Sequence, residues 1–595
     1  MFRYFRPHVR PVRGLLIAGL LASVMSAVMQ WIAPWPLKYI FDSVISHKPL
    51  PSWLSWLPTN ANTLLWVMVA VMAVVAAMLA LSDYFSTRFV ATAGQRVIFA
   101  IRGQLFRHIE AQGAGFHQRR RVGDLLARLG GDVQAIQSAV VTALPTLVRN
   151  LLTLVGMIVI MFIVDWRFSL LALVLAPVLA LASRYYLNKI RSIQRRARQA
   201  DGEASSVAQE VLTSMTVVQA FGAEDVEAQR YEEATGRGLE ENRLAIVAQS
   251  QFTPLVTLAM TMSTVVVIYF GVRAINAGQL SAGDLLVFMA YLRGMFSPIR
   301  QLSKLAGVVG RAHAAGDRVI EILNTHEEVP QAPDVARLRS ARGALSFRDV
   351  TFSYDEGTTV LHGVDLDIRA GTRQALVGLT GSGKSTLLRM IPRFLDPTVG
   401  VVSLDGSNVA GVDLADLRRQ IAYVPQEPYL FRATVWENIL YGREGGDRGT
   451  AVQVARRAGL HEVIESLPQG YDTMIGERGL ALSGGQRQCV SITRAMARRA
   501  PVLLLDEPTV GLDAELESLI LAALEIAAEG PTTIIVSHQL SGLRWVDQIA
   551  VLSEGRILET GSHAELVANR SVYWSLSELQ NAHHHELDVD ESISL

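Results

Sequence analysis

Cysteine is all but missing from this chain: Cys489 is the only one in 595 residues. One thiol excludes an intrachain disulfide and a multi-cysteine metal site, and no redox chemistry is implied. Charge is scarce as well. Only 18% of residues are charged, and 55 basic side chains balance 55 acidic ones to a formal net charge of zero. No basic patch in the second half suggests nucleic acid. Half of the residues are hydrophobic, too many for an ordinary soluble enzyme, and the excess is concentrated before residue 310.

That excess falls into stretches long enough to cross a bilayer core of about 30 Å: Gly14 to Phe41, Thr63 to Phe85, Val140 to Val164, Phe168 to Tyr186, Phe252 to Ile275 and Leu285 to Leu305. Six helices are expected. Ser86 to Glu110 and Leu187 to Leu212 keep a helical rhythm while turning polar and Arg-rich, so several helices should continue beyond the bilayer. Arg3, Arg6, Arg10 and Arg13 precede the first stretch, Arg119, Arg120, Arg121 and Arg128 follow the second, and Arg191, Arg195, Arg196 and Arg198 follow the fourth. The alternate loops are poor in charge, which puts the N-terminus and the second half of the chain in the cytoplasm. A cleavable signal peptide is disfavoured, because the first apolar stretch is too long and five more follow.

Pro34 and Pro36 should break or kink the first helix. Trp31, Trp35 and Tyr39 beside them read as an interfacial belt rather than a substrate cage. The methionines, among them Met25, Met29, Met68, Met72, Met157, Met161, Met260, Met262 and Met289, either line an adaptable apolar pocket or simply pack and face lipid. Arg293 lies about 17 Å along the last helix from Ala282, near mid-membrane. It either binds an anionic group, pairs with Asp83, or snorkels along the helix.

The second half carries chemistry. Gly378-Leu379-Thr380-Gly381-Ser382-Gly383-Lys384-Ser385 fits G-x-x-x-x-G-K-[ST], in which glycines let backbone N–H groups cradle phosphate oxygens. Lys384 would reach the β/γ-phosphates and Ser385 would hold Mg²⁺. Gln374 to Val377 reads as a buried strand entering this loop, and Thr386 to Met390 as the helix whose positive N-terminus faces the phosphates. Further on, Pro501 to Leu505 is an unbroken apolar run, as in a parallel strand covered on both faces, and it ends in Asp506-Glu507. Alone, that acidic pair could be a helix N-cap. With the loop upstream, Asp506 is assigned to Mg²⁺ and Glu507 to polarising the attacking water. Thr532 to Val536 is a second such strand, and it delivers Ser537-His538 to the same edge.

Between these elements stands Leu482-Ser483-Gly484-Gly485-Gln486, which resembles the signature sequence of the ABC ATPases. The resemblance covers about Leu345 to Leu579, with the family's parts in order. It implies that Tyr354 stacks on adenine and that Gln426 is the Q-loop glutamine, touching Mg²⁺ and water. Glu477-Arg478-Gly479 is similar to the stretch that meets coupling helices in exporters. Gly511-Leu512-Asp513 looks like the D-loop, with Gly511 where alanine is frequent, and His538 matches the switch histidine. The family's nucleotide site takes ATP and Mg²⁺. Asp513 belongs to that site, and the family pairs the phosphate loop of one nucleotide domain with the signature residues Ser483, Gly484, Gly485 and Gln486 of another, so a working sandwich needs two chains.

Six helices before such a domain resemble half-transporter exporters, typified by bacterial lipid A flippases and multidrug exporters. The implied fold is an all-α polytopic membrane domain over residues 1–324 and a linker over 325–342. An α/β phosphate-loop ABC ATPase follows over 343–580, and a mobile tail over 581–595, whose His583-His584-His585 reads as solvated. Phe116 to Val133 and Glu210 to Asp225 look like coupling helices, with Phe221 as the plug reaching the partner's nucleotide domain. The implied function is ATP-driven export of lipids or amphipathic molecules by alternating access, from a bacterial inner membrane, with a second half-transporter as partner. A non-transporting ATP-gated channel or regulatory subunit is the alternative, as is one half of a heterodimeric or peptide exporter. Against the peptide exporter, no protease-like domain is seen before the first helix.

Overall fold

The computed structural model describes residues 2–173, 176–327, 329, 331, 335–354, 357–476 and 482–580. The stretch Glu477-Arg478-Gly479 and the three histidines of the tail lie outside them. Contacts divide the chain into two compact units: Met1–Glu110 with Gly123–Thr325, and Ala111–Val122 with His326–Leu595.

The first unit is helical. Among its described residues, Pro7–Ile45, Ala61–Ala111, Val122–Val164 and Thr257–Asn276 are long and apolar enough to cross a membrane. The fourth expected span runs over residues 174–175, outside the described set, and the sixth falls within the helix Ala282–Leu323. The first helix, Arg13–Ile32, stops at Ala33-Pro34 and restarts as Trp35–Tyr39, as two nearby prolines demand. Ala61–Ala111, Glu224–Asn276 and Ala282–Leu323 contain 51, 53 and 42 residues. At about 1.5 Å per residue each is far longer than a bilayer core is thick, so each must project beyond it.

Small residues bring these helices together, as they do where no hydrophobic force separates helix from lipid. A Cβ on Gly19 would collide with Val90, and one on Gly156 with the Trp31 indole. Met157 and Met161 are buried in a core with Phe168, Val267, Phe288 and Tyr291, where Phe168 meets Phe288 edge-on at 4.8 Å. Met68 is also buried, whereas Met25, Met72 and Met262 are exposed. The rings of Trp31, Trp35 and Tyr39, expected as a belt, are engaged with other helices or buried. The Trp35 indole donates to Tyr291 OH at 2.9 Å, Trp31 to Thr153 O at 3.3 Å, and Tyr39 is buried. These rings are structural ties between helices. Trp53, Trp56, Trp66 and Trp166 are exposed. Asp83 pairs with Arg149 at 3.2 Å and accepts from Ser26 at 2.8 Å, so it is not the partner of Arg293.

The second unit holds two sheets. A four-stranded antiparallel sheet runs in the order β2-β1-β4-β5, from Thr359–Ile368 (β2), Leu345–Ser353 (β1), Val399–Leu404 (β4) and Ser407–Asn408 (β5). The larger sheet runs β10-β9-β3-β8-β7-β6. Its strands are Arg373–Val377 (β3), Ile421–Val424 (β6), Val502–Asp506 (β7), Thr532–Val536 (β8), Gln548–Ser553 (β9) and Arg556–Gly561 (β10). Every pairing in it is parallel except β9 with β10. β7 and β8 are buried along their whole length, the mark of strands covered on both faces. Ala111–Val122 joins this unit through Gly113, whose N–H donates to Glu327 O at 2.8 Å, and Gln112, which accepts from Glu327 N at 2.8 Å. Cys489 lies fully buried on the helix Gly484–Arg498, where loss of water pushes its thiol pKa up to about 12.

Candidate active site

Four adjacent strands, β3, β8, β7 and β6, end at one edge, with Leu376 level with Val536, Val536 with Asp506, and Leu505 with Val424. Ligands in parallel sheets bind at this carboxyl edge. β3 runs into the loop Gly378–Ser385, β8 into Ser537-His538, β7 into Asp506-Glu507, and β6 into Gln426 two residues on.

The loop is built around its glycines. Gly378 has φ +149° and Gly383 +103°. A Cβ on Gly378 would collide with Leu552 O, and one on Gly383 would come within 2.6 Å of Leu361. Only glycine therefore keeps the loop tight enough for its amides to converge. Lys384 is 4% exposed and its ammonium donates to Gly378 O at 3.0 Å and Leu379 O at 2.9 Å. Burial lowers its pKa below the usual lysine value, while Glu507 and Asp506 pull it back up. Ser382 is buried and its Oγ has no hydrogen-bond partner. An orphaned hydroxyl and an ammonium resting on carbonyls fit a loop shaped for phosphate oxygens.

Asp506 is 2% exposed. Its Oδ1 accepts from Ser385 Oγ at 2.9 Å and its Oδ2 from Tyr423 OH at 3.1 Å. A serine hydroxyl beside a carboxylate is the hard-oxygen set that Mg²⁺ prefers. The next residue, Glu507, adopts a left-handed backbone at φ +48°. Such a conformation in a non-glycine residue costs on the order of 1–3 kcal/mol. Its carboxylate is held from both sides: Gln426 Nε2 donates to Oε2 at 2.8 Å, and His538 Nε2 pairs with Oε1. Tyr354 is about half exposed, stands edge-on to Phe352 and shares a 3.0 Å hydrogen bond with Thr386.

The signature residues form a helix start. Ser483 caps Gly484–Arg498, accepting from Gln486 N at 3.2 Å while its own N–H donates to Gln486 Oε1 at 2.9 Å. Ser483 and Gly484 are exposed, and Gly485 is buried where a Cβ would collide with Leu516. Asp513 is exposed and caps Ala514–Ala527 by accepting from Leu516 N at 2.9 Å. The structure thus brings Lys384, Ser385, Asp506, Glu507, Gln426 and His538 to one edge. It sets Ser483 to Gln486 and Asp513 at helix starts of their own. Tyr423 was missed by sequence reasoning. No motif marks it; the only signal was its place at the end of the strand before Gln426.

Comparison with known proteins agrees with this geometry. Residues 16–299 match the family model described as ABC transporter transmembrane region, and residues 361–510 match the one described as ABC transporter. The chain is 31% identical to an ATP-dependent lipid A-core flippase of Syntrophus aciditrophicus, over 98% of this chain and 94% of that one. It is equally 31% identical to a Bacillus subtilis protein provisionally named multidrug export ATP-binding/permease protein YgaD, over 98% and 99%. A solved bacterial Atm1-family ABC exporter with ATP bound superposes with TM-score 0.77 at 27% identity, covering 96% of this chain and 98% of that one. This chain belongs to the ABC transporter family, as an integral membrane half-transporter whose membrane region and nucleotide-binding ATPase are fused.

Proposed function

We propose that the protein exports lipids or amphipathic small molecules, that it works as a dimer of identical chains, and that Mg²⁺ accompanies ATP in its site. The observation that carries this reading is Glu507, held by Gln426 and His538 beside the Ser385–Asp506 pair. A carboxylate so fixed is placed to take the proton of a water attacking the terminal phosphorus, as the water oxygen bonds to phosphorus and the ADP oxygen leaves. Mg²⁺, when bound, supplies positive charge to the phosphate oxygens; Ser385 and Asp506 are the residues that would hold it. Lys384 would give up its two loop carbonyls for phosphate oxygens. His538 would orient Glu507 and the γ-phosphate, Gln426 would sense the membrane half, and Tyr354 would stack on adenine.

ATP can drive transport only by binding one conformation better than another. Closure of two nucleotide domains, each offering Ser483 and Gly484 to the other's phosphate loop, supplies that difference. Ala114–Arg119 and Met215–Ala220 are the short helices that would pass it to the membrane region, and Phe221, 83% exposed at the end of the second, is suited to enter a partner's surface. The basic loops favour an N-terminus and ATPase in the cytoplasm, and the bacterial relatives favour an inner membrane.

The test is steady-state hydrolysis in lipid nanodiscs. Glu507→Gln should bind ATP and accumulate as a closed dimer while hydrolysis falls by about 100-fold or more, the usual worth of a positioned base. Rapid turnover by that variant would remove Glu507 from its role, and an inactive wild type would remove the enzyme reading itself.

A further inference from the structure

The geometry points to Gln580 as a positioning residue for hydrolysis, acting through the backbone of His538; this rests on the roles given to His538 and Glu507 above. His538 follows β8 on a short loop, and its imidazole meets the Glu507 carboxylate. Where that ring sits depends on what holds residues 537–540. At the entry, Ser537 N donates to Leu376 O at 3.3 Å, which anchors the loop to β3. Ser537 Oγ donates to Gln539 O at 2.8 Å and accepts from Gln539 N at 3.1 Å, but this tie travels with the loop and fixes nothing outside it. Thr509 Oγ1 donates at 3.3 Å to Gln539 Oε1, the end of an exposed side chain rather than a backbone group.

The exit of the loop is held from 40 residues away in sequence. Gln580 Oε1 accepts from Leu540 N at 3.0 Å, and Gln580 Nε2 donates to His538 O. A carboxamide presents an acceptor and a donor in one plane, so it pairs with two backbone groups as a neighbouring strand would. A carboxylate lacks the donor, and an alkyl side chain lacks both.

The helix that carries this clamp, residues 572–580, is itself fixed. Glu559, on β10, accepts from Val572 N at 2.7 Å and Tyr573 N at 3.2 Å, satisfying two of the amides that a helix start leaves open. Tyr573 is fully buried, and its hydroxyl shares a 2.7 Å hydrogen bond with His563. Positions 573, 576 and 580 follow steps of three and four residues and so share one face. On that face Leu576 packs against the core that contains Tyr573, Leu540 and Leu543, and Gln580 meets the loop one turn further on. The backbone of His538 is thereby tied to the packed centre of the nucleotide unit.

A misplacement of about 1 Å at a reacting group can lower a rate by about 100-fold, whereas two partly exposed hydrogen bonds add little to overall stability. Lys384, Ser385 and Tyr354 stand on other elements. The clamp should therefore govern turnover, with small effects on folding and on nucleotide affinity.

The experiment uses the full chain in lipid nanodiscs and reads kcat, KM for ATP, the thermal midpoint and amide exchange over residues 538–540. Gln580→Ala should lower kcat by at least about tenfold, leave KM within about twofold, and lower the midpoint by no more than about 4 °C. Exchange of the Leu540 amide should quicken by at least about tenfold. Gln580→Glu keeps the stem and the acceptor but sets an oxygen against His538 O, so it should turn over as slowly; it carries the same test if Gln580→Ala fails to fold. In a His538→Ala background, adding Gln580→Ala should change the residual single-turnover rate by less than about twofold, because both changes remove one effect. Wild-type kcat in Gln580→Ala overturns the proposal, as does an undiminished loss in the His538→Ala background, which would make Gln580 a structural tie. If His538→Ala itself turns over at the wild-type rate, the role of His538 fails and the proposal with it; if His538→Ala is slow and Gln580→Ala is not, Gln580 alone is removed.

Discussion

Lys384 illustrates how the site trades stability for binding. Its ammonium is nearly removed from water, and burial depresses its pKa. Folding disfavours the charged form, so the penalty is present in full below the lowered pKa and fades as pH rises from that value toward that of a free lysine. Lys384→Met should leave the thermal midpoint of the unliganded protein unchanged or raise it, while ATP affinity falls by at least about 100-fold, or 2.7 kcal/mol. Scanning calorimetry with nucleotide titration checks both. Most of this site was legible in the sequence, because Gly378 to Ser385, Asp506-Glu507 and His538 are marked by contiguous runs whose chemistry is local. Other parts depend on which strands are neighbours. Tyr423 reaches Asp506 only because β6 lies beside β7, and the left-handed backbone of Glu507 has no mark in residue identity. Asp83 shows the same limit: spacing along one helix could not reveal that Arg149, from another, would reach it first.

At the scale of elements, Ser483 carries two separable duties. As the N-cap of Gly484–Arg498 it satisfies Gln486 N, and losing such a cap costs about 1 kcal/mol. In a unit of this size that corresponds to about 2–4 °C in midpoint. Ser483→Ala should show that modest loss together with a drop in hydrolysis of more than about tenfold. Ser483→Asp keeps a good cap but puts negative charge where phosphate should approach, so its stability should be preserved and its hydrolysis abolished. If Ser483→Asp hydrolyses ATP normally, the residue is a cap and nothing more. Elements were read well where the chain punctuates itself: Pro34 and Pro36 end the first helix, and the rhythm beyond Ser86 continues to Ala111 as one helix. The partners of Trp31 and Trp35 were not legible, because they lie on other helices and composition near a helix end does not say which way a ring turns.

For the whole molecule, the central question is whether both halves of the working dimer come from this one chain. A single chain carries one phosphate loop and one signature, and the family architecture makes dimerisation a requirement of the site. The burial of Cys489 turns this into a spectroscopic opportunity. A thiol that is both sealed from solvent and hard to ionise will not take a maleimide or methanethiosulfonate reagent in the folded state. The natural chain is therefore silent to thiol labelling, and a spin label at Phe221→Cys needs no prior removal of a native residue. A homodimer so labelled carries two spins and gives a dipolar signal. Its distance distribution should narrow when ATP is added to a Glu507→Gln background. A particle pairing this chain with a different one would carry a single spin and show no dipolar modulation at all.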